Sequence, residues 1–514
     1  MNSRPVLRPA LSLVAVGPFA RCLLARCLLA RCLLAGCLLA GCTTSPVAPP
    51  DSGNVPAQFK SAASLPAAPH AESQPRGQWW QAFADPTLNR LVVRADQQNQ
   101  SIQVAAARLA QARALVQQAQ AERLPQVGLN SGASRRGGPL INAAGGGGNL
   151  FSTTADLTYE ADLFGRLAQA GDAAALDAQS REALLQSTRL LVQADVTRSY
   201  LALRALDAER RLLLQSMDAY RDTVRLTERR AEAGYAADLD VVRARADLAA
   251  TEADALGVAR QRAELEHALA LLLGEPASAF SLPESAQMPD LPSIPPGIPS
   301  SVLARRSDVS AAQRSAMAAQ QRLGLAQKSW LPSLALTASG GFASSGLSDL
   351  FRMSMRAWGV GALLALPVFD GGRRQAGLLN AQAEVDALVA TYRQQVLVAF
   401  RDVEDQLSSL RLLADQAAIQ QRAVQFAVRA TELSESRYRS GSISQLDLLD
   451  ARRTELRNRR QALQVEWARY QATVGLIRAL GGGWDAVGVA QTDSQPLALA
   501  DPQAANTDRK TQGD

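Results

Sequence analysis

Bond-making chemistry in this chain would have to come from five cysteines, two histidines and the aspartates that follow two glycine turns. A cysteine thiolate can attack as a nucleophile, ligate a metal, pair in a disulfide or accept an acyl chain. Cys22, Cys27, Cys32, Cys37 and Cys42 all fall in the first 42 residues, spaced by five in a repeated Arg-Cys-Leu-Leu-Ala unit. No cysteine lies beyond this leader, so the body has neither a disulfide framework nor a nucleophilic thiol. His70 sits in a stretch rich in Pro, Ala and Ser, and His267 stands alone in a helical pattern. Neither has the companions that a metal site or a general base needs. The run Gly145 to Gly148 lacks the Gly-x-x-x-x-Gly-Lys pattern and the strand-to-helix setting of a phosphate loop. Aspartates lie near Gly234 and Gly441, with no partner group or pocket for acid–base work beside them. These residues point away from an enzyme, a metal site and a bound cofactor.

What remains for the cysteines is acylation. Residues 1–41 carry basic residues, then an apolar stretch, then small residues, as a secretory signal does. The stretch ends Leu39-Ala40-Gly41-Cys42 before the polar Thr43-Thr44-Ser45-Pro46. That pattern resembles a bacterial lipobox, in which the cysteine is lipidated and becomes the mature N-terminus. Leu34-Ala35-Gly36-Cys37 is a second site of the same form, and an ordinary signal peptide without lipid is the bland reading. All three send the protein out of the cytoplasm. The leader also distorts the charge: its five arginines and no acid account for all but +1 of the formal +6. A near-neutral body argues against nucleic acid, which needs a basic face.

The elements that would position any site are long and repeated. Leu124-Pro125 recurs as Leu331-Pro332, Gly165-Arg166 as Gly372-Arg373 and Gly234 as Gly441. Leu239-Asp240 recurs as Leu446-Asp447 and Leu273-Gly274 as Leu480-Gly481, every pair 207 residues apart. One offset over five landmarks indicates an internal twofold repeat. The spacing divides the chain into a signal peptide (1–41), a lipid-anchored flexible linker (42–77), repeat 1 (78–288), a Pro-rich connector (289–300), repeat 2 (301–484) and a disordered tail (485–514).

Each repeat reads as helix, two strands, long helix, turn, helix. Strand pairs are expected at 125–134/150–163 and 332–341/356–369. From Phe151 to Leu163 apolar and polar residues alternate, and Trp358, Val360, Ala362, Leu364, Leu366 and Val368 alternate with smaller ones. Segments of about 10 residues with this period match transmembrane strands, lipid on one face and water on the other. A half-buried strand of a soluble sheet alternates equally well. Arg166 to Ala233 and Arg373 to Ser440 run without proline, giving helices roughly 100 Å long. Their regular charges place them in water, as a coiled-coil tube or stalk. Leu449, Leu456, Leu463, Trp467, Tyr470, Val474 and Ile477 keep a seven-residue or three-four spacing suited to packing. The fold class is therefore mixed α and β, a long helical coiled-coil barrel joined to a transmembrane β-barrel. Four strands per protomer cannot close a barrel in lipid, so an oligomer is required. Three copies give a twelve-stranded conduit, whereas eight strands are filled by their own side chains.

Trp79-Trp80 with Asp85-Pro86-Thr87-Leu88, Asp162-Leu163-Phe164-Gly165-Arg166, Pro367-Val368-Phe369-Asp370-Gly371-Gly372-Arg373 and Tyr438-Arg439-Ser440-Gly441 together resemble the TolC-type outer-membrane efflux proteins. The nearest subgroup is the NodT-like lipoproteins of tripartite pumps. The resemblance spans about residues 78–484. It implies an outer-membrane homotrimer, lipid-anchored, with a long periplasmic portion. It also implies a periplasmic adaptor and an inner-membrane resistance-nodulation-division pump as partners. Its cargo would be drugs or other small organic compounds, since six methionines and two histidines do not form metal-binding clusters along a lumen. Metal-ion efflux, type I protein secretion and a structural coiled-coil lipoprotein without a channel stay open. The resemblance further places a closed gate at the tip turns Gly234 and Gly441, with Asp240, Tyr438, Asp447 and Asp450 at the matching positions. Tyr438 would donate to Asp240 of a neighbouring helix pair, and the two aspartates three residues apart would form carboxylate rings. Two departures from the family stand out: Ile443 where an arginine is expected, and Arg305-Arg306-Ser307-Asp308 without proline at its third position. A plainer reading makes Asp240 and Asp447 caps of the helices that follow the turns.

Overall fold

The computed structural model describes residues 48–51, 56, 58–61, 77–136, 148–292, 294, 302 and 305–482. The signal segment, both candidate lipid sites, most of the glycine run and the tail 485–514 lie outside the described residues. In chain order the elements are α1 (Pro86–Gln98), α2 (Gln100–Ala121), β1 (Gln126–Arg136), β2 (Gly148–Ala161), α3 (Arg166–Glu232) and α4 (Asp238–Leu272). They continue with α5 (Ser307–Lys328), β3 (Ser333–Ser344), β4 (Arg356–Ala365), α6 (Arg373–Arg439) and α7 (Gln445–Ala479). α3 and α6 are both 67 residues long, and α4 and α7 both 35. No described helix is long and apolar enough to cross a membrane. The chain forms two compact units.

The first unit covers Ala119–Asp172 and Gln321–Leu379. It holds one antiparallel sheet in the order β1-β2-β3-β4. Prolines set two of its starts: β1 and β3 begin just after Pro125 and Pro332. β4 ends at Ala365 rather than at the expected 369, because Pro367 has no N–H to donate to a ladder. Register sorts side chains by face across all four strands. Val127, Leu157, Ala338 and Val360 form one row, and Leu129, Ala155, Gly340 and Trp358 another. The adjacent row on the opposite face is Gln126, Thr158, Thr337 and Gly361. On that polar face Asn130 donates to Asp156 at 2.8 Å. The apolar face is open in the single chain: Val127 is 73% exposed and Trp358 80%.

Each strand-to-helix turn is built on an aspartate and glycine. Asp162 accepts from the Ala168 N–H at 2.8 Å, with Gly165 at φ 66° and Arg166 bound to Glu160 at 2.6 Å. Asp370 accepts from the N–H groups of Gly372 and Arg374, both at 3.1 Å, across Gly371 and Gly372 at positive φ. Arg374 then lies over the Trp330 ring at 4.3 Å while its Nε holds Asp370 at 2.7 Å.

The second unit comprises Pro49–Gln118, Ala173–Gln320 and the described part of Asn380–Asp514. Its largest core gathers Trp79, Trp80, Phe83, Leu88 and Val92 from the start of the body around Val196 and Leu203 of α3. Leu269 of α4 and Tyr470, Val474 and Ile477 of α7 complete it. Asp85 caps α1 by accepting from Thr87 N at 2.7 Å, and its second oxygen takes the Tyr200 hydroxyl. Burial and that bond push the Tyr200 phenol up to about 12. Two joints lie 207 residues apart. Asn99 donates to Leu272 O at 2.8 Å, and Arg306 donates to Ala479 O at 3.4 Å. Beside them a Cβ on Gly274 would lie 2.5 Å from Gln98 O, and one on Gly481 2.8 Å from Arg305 O. Arg306 also pairs with Asp308 at 2.7 Å and Asp402 at 3.2 Å, so the segment without its proline is fixed by charge, and α5 starts at Ser307.

Part of the expected flexible linker is docked. Phe59 is buried with Val403 and Leu407, its ring 6.3 Å from that of Phe400. The Lys60 and Ser61 N–H groups donate to the two oxygens of Glu404 at 2.5 and 3.1 Å. A stretch without periodicity can still carry one anchoring aromatic.

Candidate functional site

The ends of α3 and α6 bring together the residues with the strongest claim to a role. Both helices finish in the same cap. Gly234 lies at φ 77°, its N–H bound to Ala231 O at 2.9 Å and that of Tyr235 to Arg230 O at 2.7 Å. Gly441 lies at φ 75°, with Gly441 N bound to Tyr438 O at 3.0 Å and Ser442 N to Arg437 O at 2.8 Å. This double bond pattern needs a left-handed residue, which glycine adopts without a Cβ penalty. The return helices start differently. Ser444 and Asp447 form a reciprocal capping box on α7. Ala237, its counterpart before α4, offers no side-chain acceptor.

Tyr438 is buried in the last turn of α6, and Arg230 of α3 covers its ring, guanidinium carbon 4.3 Å from the centroid. The same guanidinium donates through Nη2 to Tyr438 O at 3.2 Å. Arg230 thereby ties the two long helices at their ends. Among the described residues no hydrogen bond joins Tyr438 to Asp240 within the chain. Asp240 is half-buried in the first turn of α4. Asp447 serves its own helix: hydrogen bonds from the Ser444 side chain and then its backbone hold the carboxyl below the usual range. Asp450 is exposed on the same face of α7, near Arg453, whose bidentate partner is Asp247 at 2.6–3.1 Å. The structure thus gathers Tyr438 with Arg230 and leaves the aspartates apart from them.

Arginines that the spacing did not single out bind the bundle behind the turns. Arg452 of α7 pairs with Glu435 of α6 at 2.7 Å and reaches Ala219 O and Thr223 Oγ1 of α3. Arg245 joins α4 to Glu228 of α3 at 2.6 Å, and Arg460 bridges Glu209 and Asp254, both at 2.8 Å. A sequence signal for Arg230 did exist, since Arg229 and Arg230 lie in the last turn of α3, where a helix C-terminus favours positive charge. The capping asymmetry gives a direct test. Ser444→Ala should cost about 1 kcal/mol, and Ala237→Ser, three residues before Asp240, should recover about 0.5–1 kcal/mol by building a second box. Thermal unfolding of the two variants followed by circular dichroism decides it; equal midpoints would remove the caps from the account.

The model of the outer membrane efflux protein family matches residues 91–275 and again 298–482. The chain is 34% identical over 470 residues to the pyoverdine export outer membrane protein OpmQ of Pseudomonas aeruginosa, covering 87% of this chain and 96% of that one. It is 29% identical to the cation efflux system protein CusC of Escherichia coli over 80% of this chain and 90% of CusC. Among solved structures the outer-membrane channel OprN superposes with a TM-score of 0.81 at 30% identity, over 86% of this chain and all of OprN.

Proposed function

The chain belongs to the outer membrane efflux protein family, and from that premise we propose that it is the exit duct of a tripartite pump. As a member it is an outer-membrane efflux channel with a helical periplasmic portion, not an enzyme. The proposal adds a homotrimer whose twelve strands close a barrel, an internal duplication as the origin of the paired elements, a periplasmic adaptor and an inner-membrane resistance-nodulation-division pump. Small organic compounds are the proposed cargo, passing without chemical change. Cys42 would carry the lipid, and the turns at Gly234 and Gly441, with Asp240, Tyr438, Asp447 and Asp450, would form the periplasmic gate.

One observation carries the reading: a four-stranded sheet whose outer members are β1 and β4, with apolar rows across one face and polar rows across the other. In lipid, unpaired strand edges cost several kcal/mol per group, so β1 of one copy would pair with β4 of the next. Three copies close the ring with the Gln126–Thr158–Thr337–Gly361 row inward.

Purified full-length protein in planar bilayers should conduct ions, and its native mass should equal three chains. A conducting species of another stoichiometry would remove the twelve-stranded barrel, and a trimer without conductance would remove the duct. The facing residues offer a finer check. Leu157→Arg, in the middle of an apolar row, should destabilise assembly by about 2–4 kcal/mol, while Thr158→Arg beside it should be tolerated. Equal trimer yields from the two variants would reverse or erase the assigned faces.

A further inference from the structure

Away from the tip, α3, α4 and α7 leave between them an open-sided cavity of ≈ 380 Å³. That volume falls within the range of small-molecule sites, which are mostly apolar with a few convergent polar groups. Its walls are Leu206, Leu265, Leu463 and the indole of Trp467, and Glu209 and Glu264 stand among them. No lysine or arginine lines it among the described residues. Glu209 is largely buried and shares one oxygen with Arg460, which approaches at 2.8 Å from outside the cavity. Glu264 pairs along its own helix with Arg260, an exposed partner that water screens.

We propose that this cavity binds a lipophilic cation, an ammonium or phosphonium carrying aromatic or branched apolar groups. Apolar walls remove such a ligand's hydrocarbon from water, the indole face attracts its charge, and the two carboxylates complete the match. An anion of the same shape meets two carboxylates and, among the described residues, no cation on the cavity wall itself. The inference stands on this cavity alone and holds whether or not the chain conducts.

Tetraphenylphosphonium and tetraphenylborate are matched in shape and opposite in charge. Titrated into full-length protein in lipid nanodiscs, the phosphonium should change tryptophan fluorescence saturably, and the borate should not. Trp467→Phe should remove the response, which assigns it among the six tryptophans. Glu264→Gln should weaken the phosphonium by about threefold to fivefold, the size of a solvent-screened charge–charge contribution, the indole being left in place. Ala205→Phe should abolish binding by filling the cavity, provided its circular dichroism melt matches the parent. If that variant misfolds, Glu264→Gln still decides. Equal binding of both ions, an unchanged affinity in Glu264→Gln, or no saturable response because a neighbouring copy fills the space would each overturn the proposal.

Discussion

Asp207→Ala is expected to cost about 3–5 kcal/mol of stability, as removing one partner of a buried ion pair does. The Asp207 side chain is 1% exposed and receives Arg204 Nη1 at 3.1 Å and Arg262 Nε at 2.8 Å. It also accepts the Ser285 N–H at 2.9 Å. Arg262 continues to Glu266 at 2.8 Å and to Leu282 O at 2.6 Å, and Arg204 to Pro283 O at 2.8 Å. Two arginines and two carboxylates thus balance within the bundle and hold the segment after α4 by its backbone. Deleting Asp207 leaves a net buried cation and an orphaned amide. Asp207→Asn keeps the shape and one acceptor, so it should cost less than the alanine. The ratio of folded protein to aggregate on heating, read by light scattering and circular dichroism, measures the ranking. A loss below about 1 kcal/mol for the alanine would mean that water replaces the carboxylate, and the network would lose its structural weight.

Arg230→Ala is expected to raise single-channel conductance. On the duct reading the ends of α3 and α6 face the periplasmic entrance, and Arg230 is the group that fastens one to the other. Losing a partly desolvated cation–π contact, worth about 1–2 kcal/mol, shifts a closed-to-open ratio by about fivefold to thirtyfold. Tyr438→Phe keeps both the ring face and the carbonyl that Arg230 uses. It isolates the hydroxyl, and combined with Asp240→Ala it tests whether these groups meet across copies. Asp447→Ala with Asp450→Ala should lower cation selectivity if the carboxylates ring the pore. Should Arg230→Ala lower the melting temperature and leave conductance unchanged, the contact is a bundle fastener and the constriction lies elsewhere.

Periodicity carried most of the architecture. The helices expected at Arg166 to Ala233 and Arg373 to Ser440 end within a residue of the observed bounds, because glycine caps are written in the sequence. Strand faces were equally legible, since alternation and register are the same statement in an extended chain. Contacts between residues far apart in sequence were not. Arg230 and Tyr438 are 208 residues apart, and no local pattern marks a guanidinium that will cover a ring. Phe59 shows the same limit: its composition context reads as linker, while its burial depends on Phe400 and Val403, more than 300 residues later. The charge cluster at Arg306 replaced an expected proline by a different physical means, and only the positions of Asp402 and Ala479 reveal it.

The capping difference between the two turns has a mechanical meaning. The hairpin that returns through Ser444 begins its second arm with its first amides already bonded. The one that returns through Ala237 begins with amides that no side chain there accepts. On the duct reading, the same load applied to both would bend the second before the first, so the two turns would be unequal in compliance. Such a pair would not open like an iris, all blades at once; it would yield at one turn while the other served as the fixed arm.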